Sequence, residues 1–177
     1  MAEPFKLVMA QLNLLVGDID GNAERVIDAA RQASDEHSAD MIVFPELTLT
    51  GYPPEDLLFR PSLKLRVDRA VERILAANLD LFLVIGFPER KDDGLYNALA
   101  VIYGDRILAV YHKQRLPSYE VFDEHRYFQP GNAACVVDIA GSRMAFTVCE
   151  DMWEAEPVAQ AKAAGAQLMI NINASPY

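Results

Sequence analysis

The sequence lacks the features that mark membrane, secreted and nucleic-acid-binding proteins. No apolar run in the 177 residues reaches the roughly 18 residues that a transmembrane helix needs. Residues 1–11 carry an acidic residue and a proline before a short apolar run, unlike the basic start of a signal peptide. Lysine and arginine total 16 against 26 aspartates and glutamates, which argues against a basic face for nucleic acid or anionic lipid. We therefore expect a cytoplasmic protein that binds neither partner.

Cysteine and histidine are too few and too widely spaced for a disulfide framework or a zinc site. The two cysteines, Cys135 and Cys149, form no CxxC pair, and we expect both to be free thiols in a reducing compartment. The three histidines form no HxxxH or HxH pair, so no metal is expected. No glycine-rich phosphate-binding motif is present, so these residues give no sign of a nucleotide-binding loop.

Strand-like and helix-like segments alternate along the chain. Apolar residues recur on one face of three predicted helices, at residues 20–39, 62–78 and 156–166. Asp20 or Asn22 is the expected N-cap of the first helix. Short apolar runs predict strands at 5–12, 41–44, 81–89 and 167–175, with antiparallel pairs around turns at 104–105 and 140–142. A long polar and aromatic loop spans 114–134. The pattern indicates an α/β protein with a mixed sheet.

Three chemically versatile residues stand where apolar runs end. Glu46 follows "MIVFP", Lys113 ends "LAVYHK" and Cys149 ends "AFTVC". In an open α/β sheet, chemistry collects at strand ends because the loops there vary over a rigid frame. Taken singly, the three have ordinary interpretations as a solvated carboxylate, a strand terminator and a small buried hydrophobe. Cys135 can also be interpreted as a small buried hydrophobe. Because no carboxylate stands beside it in the sequence, we expect it to have only a structural role.

Together the three residues suit acyl transfer at an amide or nitrile carbon. A thiol needs a base to remove its proton, and apolar surroundings raise the basicity of a carboxylate such as Glu46. The ammonium of Lys113 and a backbone N–H beside Cys149 would stabilise the negative charge of a tetrahedral intermediate. His112 is an alternative base, but it neighbours Lys113 on a strand, and adjacent strand residues point to opposite faces.

The segments "VFPE", "HK" and "VCED", in this order and spacing, resemble the carbon–nitrogen hydrolase (nitrilase) superfamily, whose Glu-Lys-Cys triad three such segments carry. Within it, "LTGYPPEDLL", "LPSYEVFDEHRYFQPG" and "CEDMW" look like the glutaminase domains of glutamine-dependent NAD+ synthetases. The resemblance covers essentially the whole chain. It implies a nitrilase-like α-β-β-α sandwich with mixed sheets, and one carbon–nitrogen hydrolase domain over residues 1–177 that is incomplete at its C-terminus.

The resemblance also assigns roles to individual residues. Glu46 would be the general base, Lys113 would polarise the intermediate, and Cys149 would attack the side-chain amide of L-glutamine and release ammonia. Four further residues would contact or orient the substrate: Tyr52, Tyr119, Glu124 and Ser175. One departure is Ser118, where the family usually has asparagine.

Beyond this chain, the resemblance implies a synthetase domain that binds ATP and Mg and uses the ammonia to convert deamido-NAD to NAD+. The glutaminase step itself would need no cofactor, and a homo-oligomer is expected. Two alternatives stay open on the residues alone. The chain could be another nitrilase-type hydrolase of a small amide, or an inactive truncated fragment that serves only as a binding or assembly module.

Overall fold

The computed structural model describes residues 4–119 and 123–174, which form two sheets and three α-helices. The first sheet contains β1 (Leu7–Met9), β2 (Met41–Val43), β3 (Leu79–Lys91), β4 (Gly94–Gly104) and β5 (Arg106–His112) in that order. The second contains β6 (Cys135–Ile139), β7 (Ser142–Val148) and β8 (Leu168–Ile172). The helices are α1 (Ile19–His37), α2 (Pro61–Ala76) and α3 (Ala155–Ala163).

Both sheets are mixed. Strands β1, β2 and β3 run parallel, whereas β3, β4 and β5 pair antiparallel. In the second sheet β6 and β7 pair antiparallel and β7 and β8 run parallel, joined by the crossover through α3. The parallel pairs come from helix-bearing connections and the antiparallel pairs from tight turns, as geometry requires. The predicted α/β fold with mixed sheets is confirmed.

Two apolar clusters separate the layers. One cluster packs α1 and α2 against the first sheet, and it includes Val26, Val67 and Ile85. The other lies between the two sheets, and it includes Val84 and Phe146. Successive residues of β3 enter different clusters because side chains alternate across a strand. Burial on both faces explains why the central strands β2, β3 and β4 read as continuous apolar runs rather than alternating ones.

The predicted elements exist, but several boundaries differ. Strand β1 covers only Leu7–Met9 of the predicted 5–12, and β3 extends two residues before and after the predicted 81–89. The expected N-cap of α1 was wrong. Asp18 caps the helix by accepting a hydrogen bond from the Gly21 backbone N–H at 3.2 Å, because the helix begins earlier than its apolar periodicity indicates. In the part of the chain that the structure describes, no helix is long and apolar enough to cross a membrane.

Asn22 has a structural role instead of a capping one. Its side chain is fully buried, and its amide donates to the carbonyls of Leu15 (2.9 Å) and Leu49 (3.1 Å). Its oxygen accepts from the Leu15 N–H at 3.1 Å. These bonds tie α1 to the two loops that follow β1 and β2, so Asn22 holds the segment just after Glu46 against the helix.

We expect the substitution Asn22→Ala to lower the free energy of unfolding by about 2–3 kcal/mol, because it leaves buried backbone groups without partners. Urea denaturation followed by circular dichroism measures the change. The control is Asn13→Ala, at an exposed position, which should change stability by less than about 0.5 kcal/mol. Equal stabilities of the two variants would contradict the role given to Asn22.

Candidate active site

Glu46 is held at the end of β2 by unusually close backbone packing. It is buried, and its backbone N–H donates to the carbonyl of Asn173, just after β8, at 3.3 Å. The loop passes directly over Gly86 of β3. A Cβ atom added there would lie 2.5 Å from the Leu47 nitrogen and 2.8 Å from the Pro45 oxygen. Glycine at position 86 is therefore required for the Glu46 loop to reach its position.

Lys113 follows the last residue of β5 and is completely buried. Its backbone N–H donates to the Asn97 carbonyl at 2.9 Å, and its own carbonyl accepts from the Gly131 N–H at 2.8 Å. The side-chain ammonium donates to Glu46 Oε1 at 2.8 Å and to Glu124 Oε1 at 2.9 Å. Because a buried ammonium is costly unless it is paired, the two carboxylates account for a lysine at this depth.

Cys149 opens a short helical turn, Cys149–Met152, at the end of β7. Its φ of 47° lies in the left-handed region, which is strained for a residue with a side chain. The thiol is buried, and it lies close enough to Glu46 and Lys113 for their charges to act on its pKa. The structure thus brings Glu46, Lys113 and Cys149 to one point, although 67 residues separate the first two. Their catalytic roles stay predictions at this stage.

Glu124 and Tyr52 adjoin the three. The Tyr52 hydroxyl donates to Glu124 Oε1 at 3.2 Å, and Glu124 is buried. Within residues 4–119 and 123–174, Glu124 Oε2 has no hydrogen-bond partner. Both residues line a cavity of about 290 Å³ together with Leu47, Tyr127 and Phe128. The second carboxylate therefore has an acceptor oxygen available for a polar group beside Lys113.

The two remaining predicted substrate contacts have different outcomes. Tyr119 is half exposed, and its hydroxyl donates to the Glu150 carboxylate at 3.0 Å, next to the Cys149 thiol along the chain. It therefore lies on the outer side of the cysteine turn and not in the buried cluster. Ser175 lies outside the described residues.

Electrostatics sets the protonation state of each group. Burial and the negative charge of Glu46 raise the pKa of the Cys149 thiol to about 12, so the sulfur is protonated at neutral pH. Burial lowers the pKa of Lys113, but Glu46 and Glu124 more than offset this and raise it above the usual value. Burial and Glu46 raise the pKa of Glu124 to about 7, against the opposing effect of Lys113. The resting site is thus a neutral thiol beside an ammonium that carboxylates hold in its charged form.

Asn97 is a site residue that the sequence analysis missed. Its side chain is fully buried on β4, and its amide donates to Glu46 Oε1 at 2.8 Å. That oxygen already accepts from Lys113, so Asn97 and Lys113 together fix the orientation of the carboxylate. The available signal was a polar residue inside the apolar run "LYNALAV", where a buried amide needs a partner.

The alternatives raised by the sequence are arranged differently. His112 stacks on Tyr96, with ring centroids 4.3 Å apart, and contacts Glu89. It therefore faces away from Lys113, as strand alternation predicts. Cys135 lies in the cluster between the sheets, and burial raises its pKa to about 11. Among the described residues, no group of three or more His, Cys, Asp or Glu side chains is arranged to hold a metal ion.

The sequence matches one protein family over nearly its whole length and several named relatives. The sequence profile of the carbon-nitrogen hydrolase family matches residues 6–177. A glutamine-dependent NAD(+) synthetase from Xylella fastidiosa is 43% identical over 179 residues, which cover 100% of this chain and 33% of the relative. The chain therefore spans about a third of the length of such curated relatives.

Solved structures resemble the fold closely. The glutamine-dependent NAD+ synthetase from Acinetobacter baumannii, in complex with ADP, superposes with a TM-score of 0.94 at 38% identity, over 98% of this chain and 33% of that one. An amidase of the nitrilase superfamily from Nesterenkonia has a TM-score of 0.88 at 26% identity, over 98% of this chain and 66% of that one. A further structure of the same amidase carries a covalent acetamide moiety on its active-site cysteine.

The raised pKa of Glu124 predicts a pH-dependent stability. The protonated carboxyl is favoured in the folded state, so its contribution is complete below the unfolded pKa of about 4.5 and is lost as the pH rises through about 7. Glu124→Gln removes this titration. Relative to the wild type, the variant should therefore gain about 2–3 kcal/mol between pH 5 and pH 8. Urea denaturation at the two pH values measures the gain.

The matched control for this experiment is Glu72→Gln, on the exposed side of α2. Its stability relative to the wild type should change little over the same pH range. If Glu124→Gln gained no more than the control, the proton on Glu124 would not be favoured by folding.

Proposed function

The chain belongs to the carbon-nitrogen hydrolase family, and we propose that it is the glutamine-hydrolysing part of a longer NAD+-forming enzyme. The observation that carries the proposal is that the side chains of Glu46, Lys113 and Cys149 lie close together in a buried cluster. The 43% identity to a glutamine-dependent NAD(+) synthetase over the whole chain supports glutamine as the amide. The chain would be one carbon–nitrogen hydrolase domain whose fold continues in the sequence that follows in the relatives.

In the first step, Cys149 attacks the carboxamide carbon of L-glutamine. The sulfur is neutral at rest because its pKa is about 12, so it must lose its proton as the bond to carbon forms. Glu46, whose carboxylate already interacts with the thiol, accepts that proton. Lys113 and Asn97 both donate to Glu46 Oε1, which fixes the orientation of the carboxylate that takes the proton.

The carbonyl oxygen becomes an oxyanion in the tetrahedral intermediate. The ammonium of Lys113, fixed between two carboxylates, stabilises this charge together with a backbone N–H of the cysteine turn. When the intermediate collapses, the C–N bond breaks, Glu46 returns the proton to the leaving nitrogen, and ammonia departs. A γ-glutamyl thioester on Cys149 remains.

Water completes the cycle by the same groups in reverse roles. Glu46 takes a proton from a water molecule as its oxygen attacks the thioester carbon. The second tetrahedral intermediate collapses with cleavage of the C–S bond. The proton on Glu46 returns to the sulfur, and glutamate is released. No metal or organic cofactor takes part in either half of this reaction.

The substrate contacts follow from the positions of the adjoining side chains. Glu124 Oε2, which has no partner in the described residues, accepts a hydrogen bond from the amide nitrogen of glutamine. Tyr52 orients Glu124 through its 3.2 Å hydrogen bond. We assign Tyr119 to the amino-acid end of glutamine because it lies at the rim of the cysteine turn. Ser175 has the same proposed role from the sequence.

The ammonia would be consumed by a synthetase domain in the part of the relatives that this chain does not cover. That domain would bind ATP and Mg and would amidate deamido-NAD to NAD+. We further propose a homo-oligomer in the cytoplasm. The support for these proposals is the likeness to the named synthetases, of which this chain covers about a third.

A second candidate is hydrolysis of a small amide other than glutamine. The likeness to the Nesterenkonia amidase favours it, because the two folds agree with a TM-score of 0.88. The identity to that amidase is 26%, against 43% to the synthetase, which ranks glutamine first. A panel of glutamine, asparagine and acetamide separates the two. An inactive binding or assembly module would hydrolyse none of them.

We expect Cys149→Ala in the full-length protein to abolish glutamate release from glutamine, because no other group supplies the nucleophile. Glu46→Gln should lower kcat by about 10²–10⁴-fold, the usual effect of losing a general base. The matched control is Cys135→Ala, which removes the other buried cysteine and should retain activity. Equal glutamate release by the Cys149→Ala variant and the wild type would refute the nucleophile assignment.

A further inference from the structure

We propose that Asp151 is a positioning residue that fixes the separation of Lys113 and Cys149. The inference rests on the proposed function, because it concerns how that reaction's groups are held. Asp151 is fully buried, two residues after Cys149, and it has no counterpart among the residues that the sequence analysis selected. A buried carboxylate away from the reacting groups requires a reason, since its desolvation is costly.

The carboxylate of Asp151 is filled by four donors. Oδ1 accepts from the backbone N–H groups of Gln114 at 3.0 Å and Arg115 at 2.7 Å. Oδ2 accepts from the Tyr111 hydroxyl at 2.9 Å and from the Val148 N–H at 3.2 Å. Every partner is a donor, so only an ionised carboxylate satisfies all four without rearrangement.

The four donors come from the two segments that carry the reacting groups. Tyr111, Gln114 and Arg115 flank Lys113 on both sides along the chain, at the end of β5 in the first sheet. Val148 directly precedes Cys149, at the end of β7 in the second sheet. One side chain therefore joins the two sheets at the edge where the lysine and the cysteine meet.

The bond to Val148 also bears on the strained backbone of the cysteine. Cys149 has a φ of 47°, which an ordinary residue adopts only when its surroundings impose it. The Asp151 side chain reaches back across the turn to the Val148 N–H and closes the turn around Cys149. The same carboxylate thus presents the sulfur and anchors the strand end that carries the ammonium.

Asp151 acts by fixing the distance between Lys113 and Cys149, and it takes no part in the bond-making and bond-breaking steps. The substitution Asp151→Asn keeps the shape of the side chain but replaces an acceptor oxygen by a donor group, so at least one of the four donors faces an N–H. We expect Lys113 and Cys149 to shift relative to each other. Misplacement of reacting groups by about 1 Å can cost roughly 100-fold in rate.

The test is made in the full-length protein. Folded sites are counted by mass spectrometry as the Cys149 thiols that glutamine protects from alkylation by iodoacetamide. Per protected thiol, kcat for glutamine hydrolysis should fall by about 10–100-fold in Asp151→Asn, while KM changes less than about twofold. The control is Asp138→Asn, an exposed carboxylate on β6 near Arg143, which should keep both constants. A purely structural role would reduce the number of folded sites and leave kcat per thiol unchanged, and that result would overturn the inference.

A second variant decides the matter if Asp151→Asn does not fold. Tyr111→Phe removes one donor and leaves the three backbone bonds, and it should lower kcat per thiol by a few fold with KM unchanged. An unchanged kcat there would overturn the inference. Wild-type protein that hydrolyses no glutamine would contradict the proposed function alone. The rate of Cys149 alkylation then still reports placement: a slower rate in the folded variant supports the positioning role, and an equal rate refutes it.

Discussion

The structure of the site depends on one buried ammonium. Lys113 is inaccessible to solvent and lies within 2.9 Å of two carboxylates, Glu46 and Glu124. An unpaired charge at this depth would be prohibitively costly, and an unpaired carboxylate would be nearly as costly, so each of the three groups requires the others. Burial, together with the charge of Glu46 as a second carboxylate on one ammonium, raises the pKa of Glu124 to about 7. Burial and the charge of Glu46 keep the neighbouring thiol of Cys149 protonated, so the proposed attack by that sulfur requires a base rather than a preformed thiolate.

The two-sheet architecture is what brings these charges together. Glu46 follows a strand of the first sheet, Lys113 follows another, and Cys149 follows a strand of the second sheet. The apolar cluster between the sheets sets their separation, and it supplies the dry surroundings in which hydrogen bonds and charges act strongly. Local features complete the placement of the reacting groups. Gly86 lets the Glu46 loop pass close to β3, Asn97 orients the Glu46 carboxylate, and the strained backbone at Cys149 positions the sulfur. A rigid frame with fixed dipoles and charges is the arrangement that stabilises a developing oxyanion.

The strands and the residues at their ends could be predicted from the sequence, because apolar runs and the residues that end them are local signals. The strands before Glu46 and Cys149 end where the apolar runs end, and the face occupied by His112 followed from strand alternation. The N-cap at Asp18 was missed because the helix begins before its apolar periodicity does. Asn97 and Asp151 were missed for a different reason. Their partners are 51 residues away for the bond from Asn97 to Glu46, and 36 and 37 residues away for the two N–H donors to Asp151 Oδ1. No spacing rule connects such positions before the sheets are assembled.

The central claim is that the sulfur of Cys149 forms a covalent bond to the acyl group of glutamine. The most direct measurement is mass spectrometry of the full-length protein, quenched with acid during steady-state turnover of glutamine and then digested. The account predicts that the peptide containing Cys149 gains the mass of one glutamyl group and that the peptide containing Cys135 does not. Turnover without an adduct on Cys149, or with the adduct on another residue, would contradict it.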